Sequence, residues 1–280
     1  MFGQLIRRFS RDWTRPHWRI LYYHEVLDSQ RDVFAGQLDL FSQTFEWCSI
    51  SDGLSAITNG TLDRPLMSVT FDDADASLVD VVIPILAERG ISACCYTVPD
   101  YVEKGVSWRS AVPRPIMSWN QLSDWLSAGH EVGSHTLTHA SLDACQTNRI
   151  RQETLWSQEE LQQKLGVEIA HFAYPWGEHT SATRESLRSL NAFRSVATIH
   201  RGPMMCGHDP FSLRRDAASF SISPGQLEQL MRAADRLYWL RHFKRKKLES
   251  YCRRCPDADW NAFKSRDDAR EAMANAGVDC

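Results

Sequence analysis

Hydrophobic positions along the chain fall into two alternating patterns, short β-type runs and longer runs with helical spacing. Runs rich in β-branched and aromatic residues predict strands at 19–26, 65–71, 91–98, 130–134, 171–174 and 195–200. Apolar residues at helical spacing predict helices at 78–89, 119–128, 150–165 and 180–190. Residues 34–58 have a mixed period and predict a helix followed by a short strand near 47–50. This alternation indicates parallel strands joined by crossover helices, in an α/β barrel or a doubly wound sheet.

The two ends of the chain depart from this alternation. Residues 1–18 are a basic, aromatic leader without the apolar run of a secretory signal. Residues 19–222 are expected to form the barrel, and residues 223–280 an amphipathic basic helix followed by a polar tail. The basic, aromatic end of that helix fits either packing against the barrel or peripheral contact with an anionic membrane.

Composition narrows the range of functions only slightly. The chain has 280 residues, of which 43% are hydrophobic and 24% are charged, as in ordinary globular proteins. A net charge of -3 gives no reason to expect a nucleic-acid partner. No apolar run approaches the roughly 18 residues that span a bilayer. Since no export signal is recognisable, we expect a cytoplasmic protein in which the eight cysteines are reduced.

Polar residues directly after two of the predicted strands could bind a metal ion. Asp72 and Asp73 follow one strand, and His135 and His139 follow another. Adjacent buried carboxylates repel each other, and a divalent cation would offset that cost. The spacing of the histidines suits two imidazoles on one face of a helical turn, and two histidines with one carboxylate leave a coordination position open, as in catalytic sites. In the alternative interpretation, the aspartates cap the next helix and the histidines are ordinary surface groups.

The same residues lie in three motifs, SVTFDDA (68–74), GHEVGSHTLTHASL (129–142) and HFAYPWGE (171–178). With YYHEV (22–26) as an opening strand, their order and spacing resemble those of the polysaccharide deacetylases, the NodB-homology family of carbohydrate esterases. The resemblance implies a distorted (β/α) barrel that removes an N-acetyl group from an amino sugar.

The resemblance also implies a role for each matching residue. Asp72 would be the general base, and the metal ligands would be Asp73, His135 and His139. Zinc is the first expectation, while cobalt, nickel and manganese also suit two histidines and one carboxylate. When bound, the ion would polarise the acyl carbonyl and acidify a water molecule.

Substrate contacts are expected from the third motif and from the end of the first strand. Tyr174, Pro175 and Trp176 would line the substrate groove, with His24 as a further contact. The backbone N–H of Trp176 would help to stabilise the oxyanion of the tetrahedral intermediate.

Two substitutions separate the sequence from the family pattern. Ala74 replaces the usual glycine after the aspartates, so we expect a backbone conformation there that is open to non-glycine residues. Ala173 replaces the arginine that commonly steadies the base. We expect Arg215, in the segment LRRD, to supply the missing charge to Asp72.

The proton donor is a third departure, because the late leucine-histidine motif of the family is not recognisable. His200 ends the predicted strand SVATIH and is the first candidate for the general acid. His24 and His208 are weaker candidates.

The sequence as a whole predicts a metal-dependent hydrolase that removes an N-acyl group, first of all acetyl, from an amino sugar in polysaccharide or glycolipid biosynthesis. A second possibility within the enzymes is hydrolysis of another C–N bond, as in a deformylase or a cyclic amidase. A third is a degenerate barrel that binds glycans without turnover. Ala74, Ala173 and the missing late motif favour the degenerate barrel, whereas the complete set of aspartates and histidines disfavours it.

Overall fold

Parallel strands form one curled sheet at the centre of the fold. The computed structural model describes residues 13, 15–107, 113–177 and 179–232. In this part of the chain the strands are β1 His17–Tyr23, β2 Glu46–Trp47, β3 Pro65–Asp72, β4 Ala93–Thr97, β5 Glu131–Ser134, β6 His171–Ala173, β7 Ser195–Ala197 and β8 Asp216–Ala217. They follow the order β7-β6-β5-β4-β3-β1-β8, with β2 paired to the beginning of β3. All of these pairings are parallel, and the sheet curls into a half-barrel.

Helices cross between consecutive strands. They are α1 Arg31–Ser42, α2 Ile50–Asn59, α3 Ile83–Arg89, α4 Pro99–Lys104, α5 Trp119–Ser127, α6 Thr147–Arg151, α7 Ser157–Leu165 and α8 Ser181–Leu190, followed by helical residues 224–232. Two helices are extended by π turns. Leu78–Val82 precedes α3, and Gln152–Trp156 lies between α6 and α7. Gly90 ends α3 and Gly166 ends α7, both with left-handed backbone conformations that favour glycine.

The fold confirms the predicted distorted (β/α) barrel, although several elements differ from the prediction in number or in bounds. The mixed period of 34–58 reflects two helices, α1 and α2, separated by β2, and Ser49 caps the second helix by accepting a hydrogen bond from the Asp52 N–H. The predicted strand at 195–200 ends at Ala197. The first strand is His17–Tyr23, so it begins two residues before and ends three residues before the predicted range of 19–26.

The parallel arrangement decides where polar groups gather. The core is mainly apolar, but the fully buried Arg19 of β1 forms an ion pair with Asp216 of β8 at 2.8 Å. The carboxyl ends of β3, β5 and β6 lie at one edge of the sheet, because every strand runs the same way. The residues that follow these strands therefore converge on one rim, where active sites of parallel α/β folds lie.

Several expectations concern residues beyond those described. The basic helix end and polar tail, together with residues 1–12 of the leader, lie outside the described residues. The expected membrane contact and the extent of the terminal segments therefore remain predictions. In the described part of the chain, no helix combines the length and the apolar character needed to cross a membrane.

Candidate active site

The turn after β3 presents two adjacent carboxylates at the rim. Asp73 and Ala74 both adopt left-handed conformations, with φ of 73° and 63°. The turn is held by hydrogen bonds from the Asp73 N–H to the Tyr96 carbonyl at 3.0 Å and from the Met117 N–H to the Ala74 carbonyl at 2.9 Å. The expectation that Ala74 adopts a conformation open to any residue is wrong, because the turn keeps the left-handed geometry that suits glycine. Such a conformation costs a non-glycine residue roughly 1–2 kcal/mol.

The loop after β5 carries both histidines, but it is not helical. His135 continues the strand edge, where its N–H donates to the Thr97 carbonyl at 2.9 Å. Thr136 and His139 then adopt left-handed conformations, with φ of 64° and 60°. The prediction of one helical turn is therefore wrong. The left-handed conformations of Thr136 and His139, rather than helical periodicity, bring the two imidazoles together.

Asp73, His135 and His139 form a buried group that could hold a metal ion. One potential ligand atom from each lies within 4.8 Å of the others. The Nε2 atoms of His135 and His139 lie 3.9 and 3.5 Å from Asp73 Oδ1. This oxygen is buried and accepts no hydrogen bond from a described residue. A buried carboxylate oxygen without a donor, facing two imidazole nitrogens, fits a divalent cation.

The His135 ring is oriented by the strand next to its own. Its Nδ1 lies 2.8 Å from the backbone carbonyl of Ala173, so Nδ1 carries the proton that it donates. The Nε2 lone pair is then directed towards Asp73, as metal-binding histidines require. Burial, despite the nearby charge of Asp72, lowers the pKa of His135 to about 4, which keeps the imidazole neutral.

Asp72 is paired with the arginine expected from the sequence. Arg215 Nη1 and Nη2 donate to the two carboxylate oxygens of Asp72 at 2.6 and 2.9 Å, and Arg215 Nε donates to the Thr198 carbonyl at 3.0 Å. Burial raises the pKa of Asp72, but chiefly the charge and hydrogen bonds of Arg215 outweigh burial and lower this pKa to about 2. The predicted contact is present, and it keeps Asp72 ionised.

The neighbouring carboxyl, Asp73, has the opposite electrostatic environment. Burial, followed by the negative charges of Asp72 and Asp75, raises its pKa to about 8. A bound divalent cation would reverse this, because an adjacent positive charge favours the ionised carboxylate. The two adjacent aspartates therefore have pKa values shifted in opposite directions by their surroundings.

A residue that the sequence analysis missed, Arg114, also contacts this group. Its guanidinium pairs with Glu25 and lies 3.3 Å from Asp73 Oδ2 and 3.8 Å from Asp75 Oδ2. Arg114 lies in a connection without hydrophobic periodicity, and no sequence signal identifies it. It neutralises part of the acidic charge while leaving Asp73 Oδ1 directed at the histidines.

The third motif contributes one partly exposed ring to the rim. Trp176 adopts φ of 60°, unusual for a bulky residue, and its ring lies 4.8 Å from the ring of His139. Tyr174 and Pro175 are buried, and the Tyr174 ring stacks on His179 at 4.5 Å. Because they are buried, the side chains of Tyr174 and Pro175 have little accessible surface for a substrate, and they pack beneath the loop that carries Trp176. Trp176 remains the expected groove residue.

The three candidate proton donors lie in different surroundings. His200 lies near His179, with ring centroids 5.4 Å apart, and its carbonyl accepts a hydrogen bond from the Arg215 N–H at 2.8 Å. His24 is exposed at the end of β1 and lies close enough to Asp72 for their charges to interact. The His208 ring is held by the Ser212 carbonyl at 2.9 Å. His200 and His24 therefore remain predicted site residues, whereas His208 has a structural partner.

Replacing Arg215 by glutamine should raise the pKa of Asp72, because burial would then oppose ionisation without the guanidinium charge. A general base acts in its ionised form, so the acid limb of the kcat/KM profile should move to higher pH than in the wild type. A pH–rate profile of the two proteins measures this shift.

Arg214→Gln provides the matched control, since the guanidinium of Arg214 donates to the Pro203 carbonyl. Its acid limb should coincide with that of the wild type. An unshifted acid limb in Arg215→Gln would contradict the assignment of Arg215 and Asp72.

Comparisons with known proteins agree with this geometry. Residues 59–193 match the family model described as polysaccharide deacetylase. A curated relative, the chitooligosaccharide deacetylase of Sinorhizobium fredii (strain NBRC 101917 / NGR234), is 22% identical over 180 residues, which cover 63% of this chain and 76% of the relative. Across three curated relatives, the matched region spans from 25% to 76% of their length.

Two solved structures are similar to most of the chain. IcaB from Ammonifex degensii is 26% identical with a TM-score of 0.66, and the match covers 79% of this chain and 98% of that chain. The Streptococcus pyogenes deacetylase PplD, solved in complex with acetate, is 23% identical with a TM-score of 0.67 and coverage of 78% and 99%. The chain therefore carries a domain of the polysaccharide deacetylase family, matched at residues 59–193.

Proposed function

We propose that the protein is a metal-dependent carbohydrate N-deacetylase acting on an N-acylated amino sugar, with acetyl as the acyl group. The observation that carries this proposal is the pair of neighbouring carboxylates with opposite surroundings. Arg215 holds Asp72 ionised, whereas Asp73 Oδ1 faces two imidazoles without a hydrogen-bond donor. The first environment suits a base and the second suits a metal ligand, so one turn supplies both functions.

In the proposed reaction, Asp72 takes a proton from the water that attacks the acyl carbonyl. A divalent cation held by Asp73, His135 and His139 would supply Lewis acidity for this carbonyl and this water. The C–N bond then breaks, acetate forms, and the leaving amine takes a proton from an acid. His200 is the first candidate for that acid, because its carbonyl accepts a hydrogen bond from the backbone N–H of Arg215 at the same rim.

The proposed substrate contacts follow from the exposed groups around this rim. The Trp176 ring, beside His139, offers an apolar face against which a sugar ring can pack. Its backbone N–H remains the proposed oxyanion donor. His24, exposed at the end of β1, would contact the substrate from the opposite side of the Asp72 turn.

The biological setting is part of the proposal. A family that acts on acetylated polysaccharides supports a glycan substrate. We propose that the reaction belongs to surface-polysaccharide or glycolipid biosynthesis in the cytoplasm. Contact with an anionic membrane through the C-terminal helix would bring the enzyme to a lipid-linked substrate.

The test is product analysis with chemically defined acyl sugars. The zinc- or cobalt-loaded protein should release acetate and expose one free amine per acetate from N-acetylglucosamine oligomers. Faster turnover of N-formyl sugars or of cyclic amides would assign the same site to another C–N bond. Tight glycan binding that persists after metal removal, with no turnover of any acyl sugar, would refute the enzyme proposal.

A further inference from the structure

A buried glutamate outside the metal-binding group holds the loop that carries His139. Glu153 lies in the π turn Gln152–Trp156, and its side chain is fully buried. One carboxylate oxygen accepts a hydrogen bond from the Thr138 N–H at 2.9 Å, and the other accepts from the Thr138 hydroxyl at 2.8 Å. The guanidinium of Arg149, one turn earlier, lies 2.5 Å from the carboxylate. Both oxygens are therefore engaged by the loop or by a cation.

The π turn presents the backbone of Glu153 to the same loop. The Glu153 carbonyl accepts a hydrogen bond from the Leu137 N–H at 2.9 Å. In an α-helix this carbonyl would accept from the Ser157 N–H, which here donates to the Thr154 carbonyl instead. π turns are rare and often occur at functional sites. Side chain and backbone of one residue thus bind two consecutive residues of the histidine loop.

The histidine loop needs such a restraint because its backbone is strained. Thr136 and His139, which flank the two residues bound by Glu153, have φ of 64° and 60°. A β-branched residue such as threonine is a genuine outlier there, and sparsely populated conformations of this kind cost about 1–3 kcal/mol each. Without the hydrogen bonds to residues 137 and 138, the loop would relax and carry the His139 imidazole away from Asp73.

We propose that Glu153 is a positioning residue that tunes the metal affinity of the site by fixing the His139 loop through Thr138. The proposal rests on the proposed metal-dependent function and adds a residue that makes no contact with metal or substrate. Groups that orient metal ligands typically contribute 10- to 100-fold in metal affinity. Glu153→Gln keeps the size of the side chain but removes the charge that pairs with Arg149, and its NH₂ replaces one of the two acceptor oxygens. It should weaken zinc binding by about 10- to 100-fold.

The experiment measures zinc affinity on the full chain by competition with a chromophoric chelator, beside the visible absorption spectrum of the cobalt form. Glu153→Gln should show the weaker affinity and an altered cobalt spectrum, because the His139 ligand is displaced. Thr138→Val removes only the hydroxyl bond and should weaken zinc binding by about two- to tenfold, the equivalent of one hydrogen bond. Glu159→Gln, an exposed position on α7, is the matched control and should behave as the wild type.

The outcomes separate positioning from general support of the fold. If Glu153→Gln melts at a lower temperature but keeps the wild-type zinc affinity and cobalt spectrum, the residue is only structural and the proposal fails. If Glu153→Gln does not fold, Thr138→Val decides, and an unchanged affinity overturns the proposal. A wild-type protein that binds zinc tightly but hydrolyses no acyl sugar would refute the proposed function alone. A wild-type protein that binds no metal would refute both.

Discussion

Asp72→Asn should lower kcat by about 10²- to 10⁴-fold, the usual contribution of a general base, while zinc content stays at the wild-type level. The amide has nearly the same shape as the carboxylate but cannot accept the proton of the attacking water. The metal-binding group of Asp73 and the two histidines does not include Asp72, so the binding of the ion should persist. Initial rates of acetate release, with metal content measured on the same samples, check both parts.

The control must account for stability, because Asp72→Asn leaves the fully buried Arg215 without its anionic partner. Breaking a buried ion pair by removing one partner costs about 3–5 kcal/mol. Asp216→Asn breaks a second buried ion pair, the one with Arg19, and should lower the free energy of unfolding to a similar extent. It should nevertheless keep most of the activity. Equal losses of kcat in the two variants would show that instability, and not loss of a base, explains the effect.

The sequence was sufficient to predict site residues whose role follows from their residue type and from their position after a strand. The strands end in Asp72 and Ser134, so parallel order alone brings the aspartates and histidines to one rim. Arg215 was also accessible to prediction, since a buried carboxylate without the usual arginine needs a cation from elsewhere. The structure provides that contact from the segment before β8.

The backbone of the site was not predictable in the same way. The spacing of His135 and His139 suits a helix, and nothing in residue type signals the left-handed conformations at Thr136 and His139. The prediction for Ala74 was wrong for a similar reason, because the alanine adopts a left-handed conformation that glycine favours. In both segments, tertiary hydrogen bonds override local preference, and a single sequence does not contain these bonds as a pattern.

The sequence contained a weaker signal for Glu153, which could have identified it as a residue with a buried partner. It lies three residues after Ile150 in the predicted amphipathic helix, on the face that carries Ile150 and Leu161 into the core. A charged residue on an apolar face must be paired, and its partner is often functional. Arg114 has no comparable signal, because it lies in the loop between α4 and α5, where no hydrophobic periodicity makes a charged residue stand out.

His135→Ala/His139→Ala should abolish stoichiometric metal binding and reduce deacetylation to the background rate. Removing both imidazoles leaves Asp73 as one carboxylate, and a single oxygen ligand does not hold zinc against solvent. Elemental analysis should find about one equivalent of metal in the wild type and almost none in the double variant. Added zinc should raise the melting temperature of the wild type only, because a ligand that binds the folded state at a thousand times its Kd stabilises it by about 4 kcal/mol.

His130→Gln is the matched control for the double variant. This histidine precedes β5 at the end opposite His135, where its ring accepts a hydrogen bond from the Ala93 N–H and packs on Trp125. Its replacement should lower the melting temperature without changing the zinc content or the stabilisation by zinc. If the double variant kept its metal, the ion would be bound elsewhere and the site at Asp73 would be wrong. If the wild type took up no metal, the opposite environments of Asp72 and Asp73 would lose their catalytic explanation, and glycan binding without turnover would become the better account.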